Sequence, residues 1–497
     1  MAVLTTKRLE LEGSSPPQSA LALPLIVDAD GCLVRADLRS ELAIAELENT
    51  VKLFTCAIRG ERTQRDAFPD VTSVAEFARK GVDVSSLPLE PELVDYIRAC
   101  AETGREIHLV TRASQAIADA IAARVGGFTS ATGSTAQIAM TDVEKLRYAK
   151  AQFPHGFAYA GNAGDLISSA RALVQLRDRA ANGKSPADKA DQVEVELGDG
   201  SAGFRVGAKQ WLKLLRCHQW SKNALVFVPL LLGHAYNDVA AIAACVTGFA
   251  LLSLLASGTY VVNDLVDLDA DRRHATKRNR PLASGDISAG TAIVVACGMI
   301  GGSLLGAPAL GTAFLATLSA YLVTTLAYSF YLKRKLLVDV FVLAALFTLR
   351  VAMGIALAGV EPSPWLLTFT MFFFLSLSLA KRHVEIVNAA QVGQMLIPGR
   401  DYRAADLPLT VALGVGCNAV AMLIIFLYLA FDAMPLGFYR QPYWLWGAGF
   451  IVFLWSLRIW GLAHRGVLDS DPVAFAVRDR TSIVLGFMVL VVFGLAL

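Results

Sequence analysis

The sequence lacks paired cysteines and a strong net charge, and we expect no leader peptide. Its cysteines are scattered without the spacing of a disulfide framework or a zinc site, so we interpret them as reduced core residues. They are Cys32, Cys56, Cys100, Cys217, Cys245, Cys297 and Cys417. The net charge of +2 favours no particular partner, and no feature indicates nucleic-acid binding. The first apolar run, residues 21–27, is short and leads into acidic residues, so we expect the N-terminal part to stay in the cytosol.

Charge is also scarce over the second half of the chain. Hydrophobic residues make up 55% of the 497 residues and the mean hydropathy is +0.49, which is too apolar for an ordinary soluble protein. Residues up to about Lys209 mix charged and apolar side chains, whereas long uncharged runs recur beyond Trp211. We therefore predict a soluble domain at 1–176, a flexible linker at 177–210 and a membrane domain at 211–497.

Apolar runs of about 18 or more residues predict nine membrane-spanning helices. They cover roughly 213–233, 239–261, 289–307, 310–331, 337–359, 364–380, 408–431, 442–463 and 481–497. With the soluble domain in the cytosol, the loops that carry most of the Lys and Arg residues also face the cytosol, as the positive-inside rule requires. We expect an all-α, multi-pass bundle in the inner (plasma) membrane, with the C-terminus, Leu497, on the outer side.

The loop after the second predicted span carries regularly spaced carboxylates. Asp264, Asp267 and Asp271 are three and four residues apart, so on one helix they share a face, with Asn263 on its flank. Oxygen ligands at this density suit Mg²⁺, which usually completes its shell with substrate phosphates. Cations that could bind the remaining phosphate oxygens follow within about three turns. They are His274, Lys277, Arg278 and Arg280. The alternative is a solvated loop whose charges only set the membrane topology.

A second polar cluster follows the sixth predicted span, partly at helical spacing and partly after a Pro-Gly break. Its members are Lys381, Arg382, Glu385, Arg400, Tyr402, Arg403 and Asp406. Since this loop is predicted on the same membrane face as the aspartate motif, the two loops could clamp one phosphorylated ligand between a metal ion and cations. The alternative is a basic loop that only flanks the membrane.

Other polar residues are predicted at or near membrane depth. Arg350 lies well inside an apolar run, where an unpaired cation would be costly, so we expect it to face a polar cavity and to meet an anion or a carboxylate. Lys222 and Asn223 lie near the start of the first predicted span. We interpret them as candidate ligand residues, with anchoring at the membrane interface as the alternative.

The aspartate motif, NDLVDLDAD followed by RPLASG, resembles the first motif of the UbiA superfamily of intramembrane transferases. The resemblance extends from Trp211 to Leu497. Five further segments are similar to the branch of decaprenyl-phosphate phosphoribosyltransferases. They are RCHQWSKNALVFVPLL, YSFYLKRKLLVDVF, AKRHVE, PGRDYRAAD and HRGVLDSDPVAFAVRDRTS. The second of these segments contributes Tyr328 and Lys333 as candidate substrate ligands. The loop after the sixth predicted span, which we call loop six, lacks the second aspartate-rich motif of the aromatic prenyltransferases in the superfamily.

This resemblance implies a UbiA-like fold and a Mg²⁺-dependent transfer of 5-phosphoribose from phosphoribosyl pyrophosphate to a polyprenyl (decaprenyl) phosphate. Pyrophosphate leaves, and the product serves the synthesis of a cell-envelope arabinose donor. The resemblance implies that Asn263 and the three aspartates hold the metal, that Lys277 and Arg280 bind the diphosphate, and that Lys222 or Arg350 binds the lipid phosphate. The sugar 5-phosphate is assigned to Lys381, Arg382, Arg400 and Tyr402. Glu385 and Asn223 complete the predicted substrate site, and a homo-oligomer remains open.

Two other functions also remain open. A prenyl diphosphate bound at the same aspartates could transfer its isoprenoid to an aromatic acceptor, although loop six offers no second carboxylate cluster for this donor. Alternatively, the chain is a phosphatase anchored by a passive membrane domain. The charged residues at membrane depth argue against a passive role.

The N-terminal domain contains a strand-to-turn pattern, LALPLIVDADGCLV, that ends in Asp28 and Asp30. This pattern resembles the haloacid-dehalogenase-like phosphatases, which are α/β proteins with a Rossmann-like parallel sheet. The resemblance implies that Asp28 accepts the phosphoryl group, that Asp30 is a general acid, and that Thr111 and Lys145 bind phosphate. It also implies that Asp165 joins the two aspartates as a ligand of Mg²⁺.

The same domain departs from the haloacid-dehalogenase pattern at two positions. Asn162 stands where the first acidic Mg²⁺ ligand is expected, and Cys32 replaces a threonine. An amide oxygen can coordinate Mg²⁺ but supplies no charge. Residues 31–105 are long enough for a helical cap. An active domain is expected to remove the 5-phosphate of the transferase product, and an inactive one to be a docking or regulatory module.

Overall fold

The computed structural model of the chain describes residues 23–36, 38, 84–176, 193–197, 207–391, 393, 400–433, 439–468 and 472–497. The chain divides into two compact units. The first contains Met1–Leu214 and Asp264–Val294, and the second contains Leu215–Asn263 and Val295–Leu497. The loop with the aspartate motif therefore belongs to the same compact unit as the N-terminal domain.

Within the described residues, six parallel strands form the sheet of the first unit. They are β1 (Leu25–Asp28), β2 (Ile107–Ser114), β3 (Ser130–Ser134), β4 (Ala158–Ala160), β5 (Ala172–Leu176) and β6 (Val193–Leu197), in the spatial order β3-β2-β1-β4-β5-β6. Leu25 lies opposite Ile107 on one side and Ala158 on the other. The apolar strand β1 is buried throughout, as expected for a parallel sheet covered on both faces. The predicted α/β domain with a parallel sheet is thus confirmed.

Helices alternate with these strands. They are α1 (Pro91–Glu102), α2 (Gln115–Val125), α3 (Asp142–Gln152) and α4 (Gly164–Ser169). Helix α1 buries Leu93, Ile97 and Cys100, whose spacing places them on one face of the helix. The segment VEVEL, which lies inside the predicted flexible linker, is the edge strand β6 and pairs with β5. Most of the predicted cap at 31–105 lies outside the described residues.

The later helices are mostly long and apolar. They are α5 (Ala208–Leu214), α6 (Val228–Leu232), α7 (Val239–Val266), α8 (Leu268–Arg273), α9 (Ala289–Gly306), α10 (Thr312–Phe330), α11 (Val338–Ala358), α12 (Pro364–Gln391), α13 (Leu407–Tyr428), α14 (Trp444–His464), α15 (Pro472–Arg478) and α16 (Arg480–Ala496). In the part of the chain that the structure describes, seven helices can cross a membrane by length and composition, and α15 with α16 adds an eighth span if the bent pair counts as one. The predicted polytopic helical domain is confirmed.

The predicted number of nine spans is not confirmed. The ninth predicted span corresponds to α16, whose axis is bent by 83° from that of α15. The first predicted span, 213–233, is not one helix, because 3₁₀ turns over Cys217–Phe227 separate α5 from the short α6. Its polar sequence HQWSKN explains the interruption. Trp220 and Asn223 donate hydrogen bonds to the hydroxyl groups of two serines on α7, at 3.0 Å each.

A glycine allows α11 to pack closely against this interrupted segment. A Cβ atom added at Gly354 would overlap the carbonyl oxygen of Val226 and would lie 2.9 Å from Cδ of Pro229. The backbone oxygen cannot move aside as a flexible side chain would. The close approach of α11 therefore depends on the missing side chain at this position.

We expect Gly354→Ala to lower the free energy of unfolding by about 1–3 kcal/mol, because overpacking displaces the backbone at Val226. Thermal unfolding in detergent measures this change. The matched control is Gly416→Ala on α13, where no atom lies within 4 Å of an added Cβ. Equal midpoints for the two variants would contradict the proposed packing.

Candidate active site

The aspartate motif spans the end of one helix and the start of the next. Asp264 lies in the last turn of α7, Asp267 lies between the helices with φ −92° and ψ 9°, and Asp271 lies in α8. The amide of Asp271 donates to the carbonyl oxygen of Asp267 at 2.8 Å, which is the first helical hydrogen bond of α8 and makes Asp267 its N-cap residue. The predicted single helix is thus interrupted at Asp267.

A single arginine brings two of these carboxylates together. The Nη1 atom of Arg280 donates to Oδ1 of Asp264 at 3.0 Å and also to Oδ2 of Asp271. Both aspartates are only 3% exposed, so their charges lie in a poorly solvated region. Lys277, whose side chain is half-exposed, places Nζ 3.9 Å from Oδ1 of Asp271. The two cations predicted to bind diphosphate therefore also neutralise the aspartates.

The chemistry of this pair suits a hard divalent cation. Two carboxylate oxygens converge on one nitrogen atom, which is the kind of donor pair that Mg²⁺ uses when phosphates and water complete its shell. Among the residues that the structure describes, no three His, Cys, Asp or Glu side chains form a group that could hold a metal. The predicted set of three aspartates is thus not assembled, and the pair needs ligands from elsewhere to complete a coordination shell.

A second charged cluster is centred on Asp339, a fully buried residue in the first turn of α11. Its Oδ2 atom lies 3.0 Å from the guanidinium of Arg382 and 3.3 Å from that of Arg400, and its Oδ1 atom accepts a hydrogen bond of 2.6 Å from Tyr402. Burial and the neighbouring carboxylate raise the pKa of the Tyr402 hydroxyl, so it remains a donor. Sequence reasoning missed Asp339, although it is the only carboxylate in the segment YSFYLKRKLLVDVF.

Two further predicted residues join this cluster. Glu385 accepts a hydrogen bond from Arg382, and one of its oxygens lies 3.7 Å from Nε of Arg400. Arg400 also donates to the hydroxyl of Tyr328 at 3.3 Å. The two arginines are thus balanced by two carboxylates inside the cluster. The predicted residues Lys333 and Lys381 are partly exposed.

Arg350 is buried in α11, but its partners differ from those predicted. In the described part of the chain, its hydrogen bonds go to Oδ1 of Asn223 at 2.9 Å, the hydroxyl of Tyr321 at 2.8 Å and the carbonyl oxygen of Leu346 at 2.7 Å. All three are neutral oxygens and none is a carboxylate. Buried oxygens can satisfy the donors of a guanidinium without cancelling its charge. Asn223 is itself buried rather than placed at an interface, and Lys222 is partly exposed.

The N-terminal domain gathers a separate acidic site at the end of β1. The Nζ atom of Lys145 lies 2.7 and 2.8 Å from the two oxygens of Asp28 and 2.7 Å from Oδ2 of Asp30. Thr111 donates to Oδ1 of Asp30 at 3.0 Å. The structure thus brings together four predicted residues. Asp28 and Asp30 lie at and just beyond the carboxyl end of β1, Thr111 directly follows the β2 residue that pairs with Asp28, and Lys145 reaches them from α3.

One tyrosine in this acidic site was missed from the sequence. The hydroxyl of Tyr159, on β4, donates to Oδ2 of Asp28 at 3.0 Å. Burial, followed by the Asp28 charge, raises the pKa of Tyr159. Burial also raises the pKa of Asp28, although Lys145 opposes this effect. The signal available in the sequence is FAYAGN, where Tyr159 stands three residues before Asn162, the position at which a metal ligand is expected.

The metal ligands predicted for this domain come together only in part, because Asp28 and Asp30 meet at Lys145 without Asp165. Asp165 is exposed on α4, and Asn162 is exposed and donates from its amide to the carbonyl oxygen of Gly31 at 2.9 Å. No group of three candidate ligands is found among the described residues. The ammonium of Lys145 supplies the positive charge between Asp28 and Asp30, where the prediction placed Mg²⁺. Cys32 is buried in the core next to these residues.

Comparison with known proteins identifies the family. Residues 224–478 match the UbiA prenyltransferase family. The chain is 39% identical to the Uncharacterized protein y4nM of Sinorhizobium fredii over 482 residues, which cover 96% of this chain and 91% of that protein. It is 31% identical to Nodulation protein NoeC of Azorhizobium caulinodans, over 54% of this chain and 87% of that protein.

A third relative carries an enzyme name. The chain is 30% identical to the Decaprenyl-phosphate phosphoribosyltransferase of Mycobacterium tuberculosis, over 54% of this chain and 88% of that protein. The alignment with y4nM extends over nearly the whole chain, whereas the other two cover about half of it. The long apolar helices together with these matches show that the chain is an integral membrane protein. The chain belongs to the UbiA prenyltransferase family.

Proposed function

We propose that the chain transfers 5-phosphoribose from phosphoribosyl pyrophosphate to a polyprenyl phosphate and releases pyrophosphate. The observation that carries this proposal is the pair of buried carboxylates, Asp264 and Asp271, that converge on Arg280 beside Lys277. Acidic and basic side chains combined in this way suit a diphosphate leaving group bound with a divalent cation. The name of the mycobacterial relative supports the choice of donor and acceptor.

Each proposed role uses a group with suitable chemistry. Asp264 and Asp271, with Asn263 and Asp267 nearby in the sequence, would hold Mg²⁺, which neutralises charge on the departing diphosphate. Arg280 and Lys277 donate hydrogen bonds to diphosphate oxygens. The bond between the anomeric carbon and the diphosphate breaks with its electron pair on the leaving oxygen, and a bond forms from the same carbon to an oxygen of the lipid phosphate. That phosphate is already ionised near neutral pH, so no strong general base is required.

The two remaining phosphates are assigned to residues outside the aspartate motif. Arg382, Arg400 and Tyr402 carry donors suited to the sugar 5-phosphate, with Tyr328, Glu385, Lys333 and Lys381 completing that site. Arg350 is assigned to the lipid phosphate, with Lys222 and Asn223. The support for Arg350 is that its guanidinium bonds to neutral oxygens and keeps its full charge for an anion.

A second candidate keeps the site and changes the donor. The family description favours a prenyl diphosphate, whose isoprenoid would move to an aromatic acceptor. The arginines around Asp339 favour the phosphorylated sugar, because an isoprenoid tail needs an apolar site while a sugar phosphate needs cationic donors.

The N-terminal domain is proposed to resemble a haloacid-dehalogenase phosphatase that acts on the 5-phosphate of the product. The grouping of Asp28, Asp30, Thr111 and Lys145 supports this. We further propose that this domain and the aspartate loop face the cytosol, which agrees with the distribution of Lys and Arg residues.

The first test is the transfer reaction with the purified chain, Mg²⁺, labelled phosphoribosyl pyrophosphate and decaprenyl phosphate. We expect labelled lipid, and we expect Asp264→Asn and Asp271→Asn each to reduce its formation about 100- to 1,000-fold, as for loss of a group that stabilises developing charge. Asp238→Asn, at an exposed helix start, is the matched control and should keep the wild-type rate. Label that stays aqueous while geranyl or farnesyl diphosphate is consumed would instead support the second candidate.

The assignment of the phosphates predicts that substitutions of two arginines raise the KM of different substrates. Arg400→Gln should raise KM for phosphoribosyl pyrophosphate about tenfold, the equivalent of about 1.4 kcal/mol, and leave KM for the lipid phosphate unchanged. Arg350→Gln should raise KM for the lipid phosphate instead. Each variant controls for the other in steady-state assays. If both variants affect the same KM, the assignment is wrong.

Phosphate release tests the proposed phosphatase. Asp28→Asn should leave prenyl-phosphoribose formation intact and abolish release of inorganic phosphate from the product, because the amide cannot accept the phosphoryl group. Asp95→Asn, on the exposed side of α1, should release phosphate at the wild-type rate. Equal release from Asp28→Asn would refute the proposed role of Asp28.

A further inference from the structure

The N-terminal domain contacts the segment 264–294, which carries the aspartate motif and which we call the aspartate loop, at Gly285. A Cβ atom added at Gly285 would lie 2.8 Å from Cβ of Arg35, 3.2 Å from the carbonyl carbon of Arg35 and 3.2 Å from Cγ of Pro88. Gly285 also has φ +78°, a conformation that favours glycine. Its neighbours are backbone and ring atoms or a Cβ atom, none of which is the flexible end of a side chain. The backbone of Gly285 therefore lies closely against Arg35 and Pro88, at atoms that cannot move aside easily.

On the side of the N-terminal domain, a salt bridge fixes the residues that form this contact. The guanidinium of Arg35 donates from Nε and Nη2 to the two oxygens of Glu90, at 3.0 and 2.9 Å. The amide of Arg35 donates to the carbonyl oxygen of Pro88 at 2.9 Å, and that of Glu90 donates to Leu33 at 2.9 Å. A bidentate pair with two backbone bonds orients both segments. We call residues 33–35 and 88–90 the docking clamp.

A second contact lies next to the clamp. The 3₁₀ turn Val84–Ser86 packs against α8, the helix that carries Asp271. Arg124, in the last turn of α2, holds this turn by donating from Nη1 to the carbonyl oxygens of Val84 at 2.6 Å and Leu87 at 2.8 Å. The N-terminal domain thus supports the aspartate loop at two points.

On the loop side, a short turn connects Gly285 to Arg280 through Ser284 and Leu282. The amide and the hydroxyl of Ser284 both donate to the carbonyl oxygen of Arg280, at 2.9 Å each. The amide of Gly285 donates to Leu282 at 3.2 Å, and that of Ile287 donates to Pro281 at 3.0 Å. These bonds make a compact turn that begins at Arg280. A displacement of Gly285 would therefore move the residue that joins Asp264 and Asp271.

We propose that the N-terminal domain is a positioning domain for the transferase, in which the docking clamp holds Gly285 and thereby sets the place of Arg280. Arg35 and Glu90 are positioning residues in this arrangement. The inference rests on the proposed transferase function and gives the domain a role that needs no phosphatase chemistry. Fixing the loop before the substrate binds reduces the conformational entropy that binding must otherwise overcome.

The test uses the full chain in detergent and measures hydrogen exchange of peptides covering residues 280–290. Gly285→Ala should speed exchange there, because the new methyl group displaces the clamp. Gly104→Ala is the control for an alanine at positive φ elsewhere in the same domain, since Gly104 has φ +79° and no atom within 4 Å of an added Cβ. The clamp variants described next keep Gly285, so they separate loss of the contact from backbone strain at residue 285. Exchange in 280–290 that is equal in the two variants would overturn the proposal.

Loss of the ion pair provides an independent variant. Arg35→Ala should speed exchange in the same peptides, while Arg98→Ala, which removes an exposed arginine of the same domain, should not. If Arg35→Ala does not fold, judged by thermal unfolding, Glu90→Gln replaces it and keeps the side-chain shape. Wild-type exchange in 280–290 for these clamp variants would also overturn the proposal.

Transferase kinetics then separate positioning from simple instability. Clamp variants with wild-type unfolding midpoints should lose about 10- to 100-fold in kcat/KM, the range expected when a catalytic group is misplaced. Hydrogen exchange is measured without substrate, so it tests the contact between the clamp and Gly285 even if the wild-type chain makes no labelled lipid. That last result would reject the transferase function and leave the exchange data to judge the docking itself.

Discussion

Arg280 joins two carboxylates that would otherwise repel each other. Asp264 and Asp271 are nearly inaccessible to solvent, where like charges interact strongly and each unpaired charge carries a large desolvation cost. A shared guanidinium places one positive charge between them and offsets this repulsion. The chain passes from α7 to α8 at Asp267, which lies between the two aspartates that reach this donor. The chemistry proposed for this loop depends on that arrangement.

The same solution recurs in two other places, each with a central charge between two charges of opposite sign. Lys145 lies between Asp28 and Asp30, and Asp339 lies between Arg382 and Arg400. Charges in a poorly solvated interior persist only when they are paired. A phosphate must therefore compete with internal carboxylates for the same cations, which favours ligands that carry several negative charges. Arg350 is the exception, because neutral oxygens satisfy its donors.

The contact at Gly285 gives the N-terminal domain a physical connection to the aspartate loop. The sheet supplies a rigid base, Arg124 and Glu90 fix the segments that protrude from it, and the loop folds back on Arg280. A loop on a membrane protein has few partners of its own, so support from a folded domain lowers the cost of ordering it. This role is independent of whether Asp28 accepts a phosphoryl group.

Much of the fold could be predicted because its signals are local. Apolar runs identified seven helices, and the alternation of buried strands and turns identified the parallel sheet, since both depend on burial of nearby residues. Local signals failed at the first predicted span, where Trp220 and Asn223 bond to serines more than 25 residues away. The sequence by itself determined the family, the charged loops and most residues of each cluster. Only the tertiary structure decided which charges pair and which segments touch. Asp339 pairs with Arg400, and Gly285 lies against Arg35, across sequence separations that no spacing rule covers.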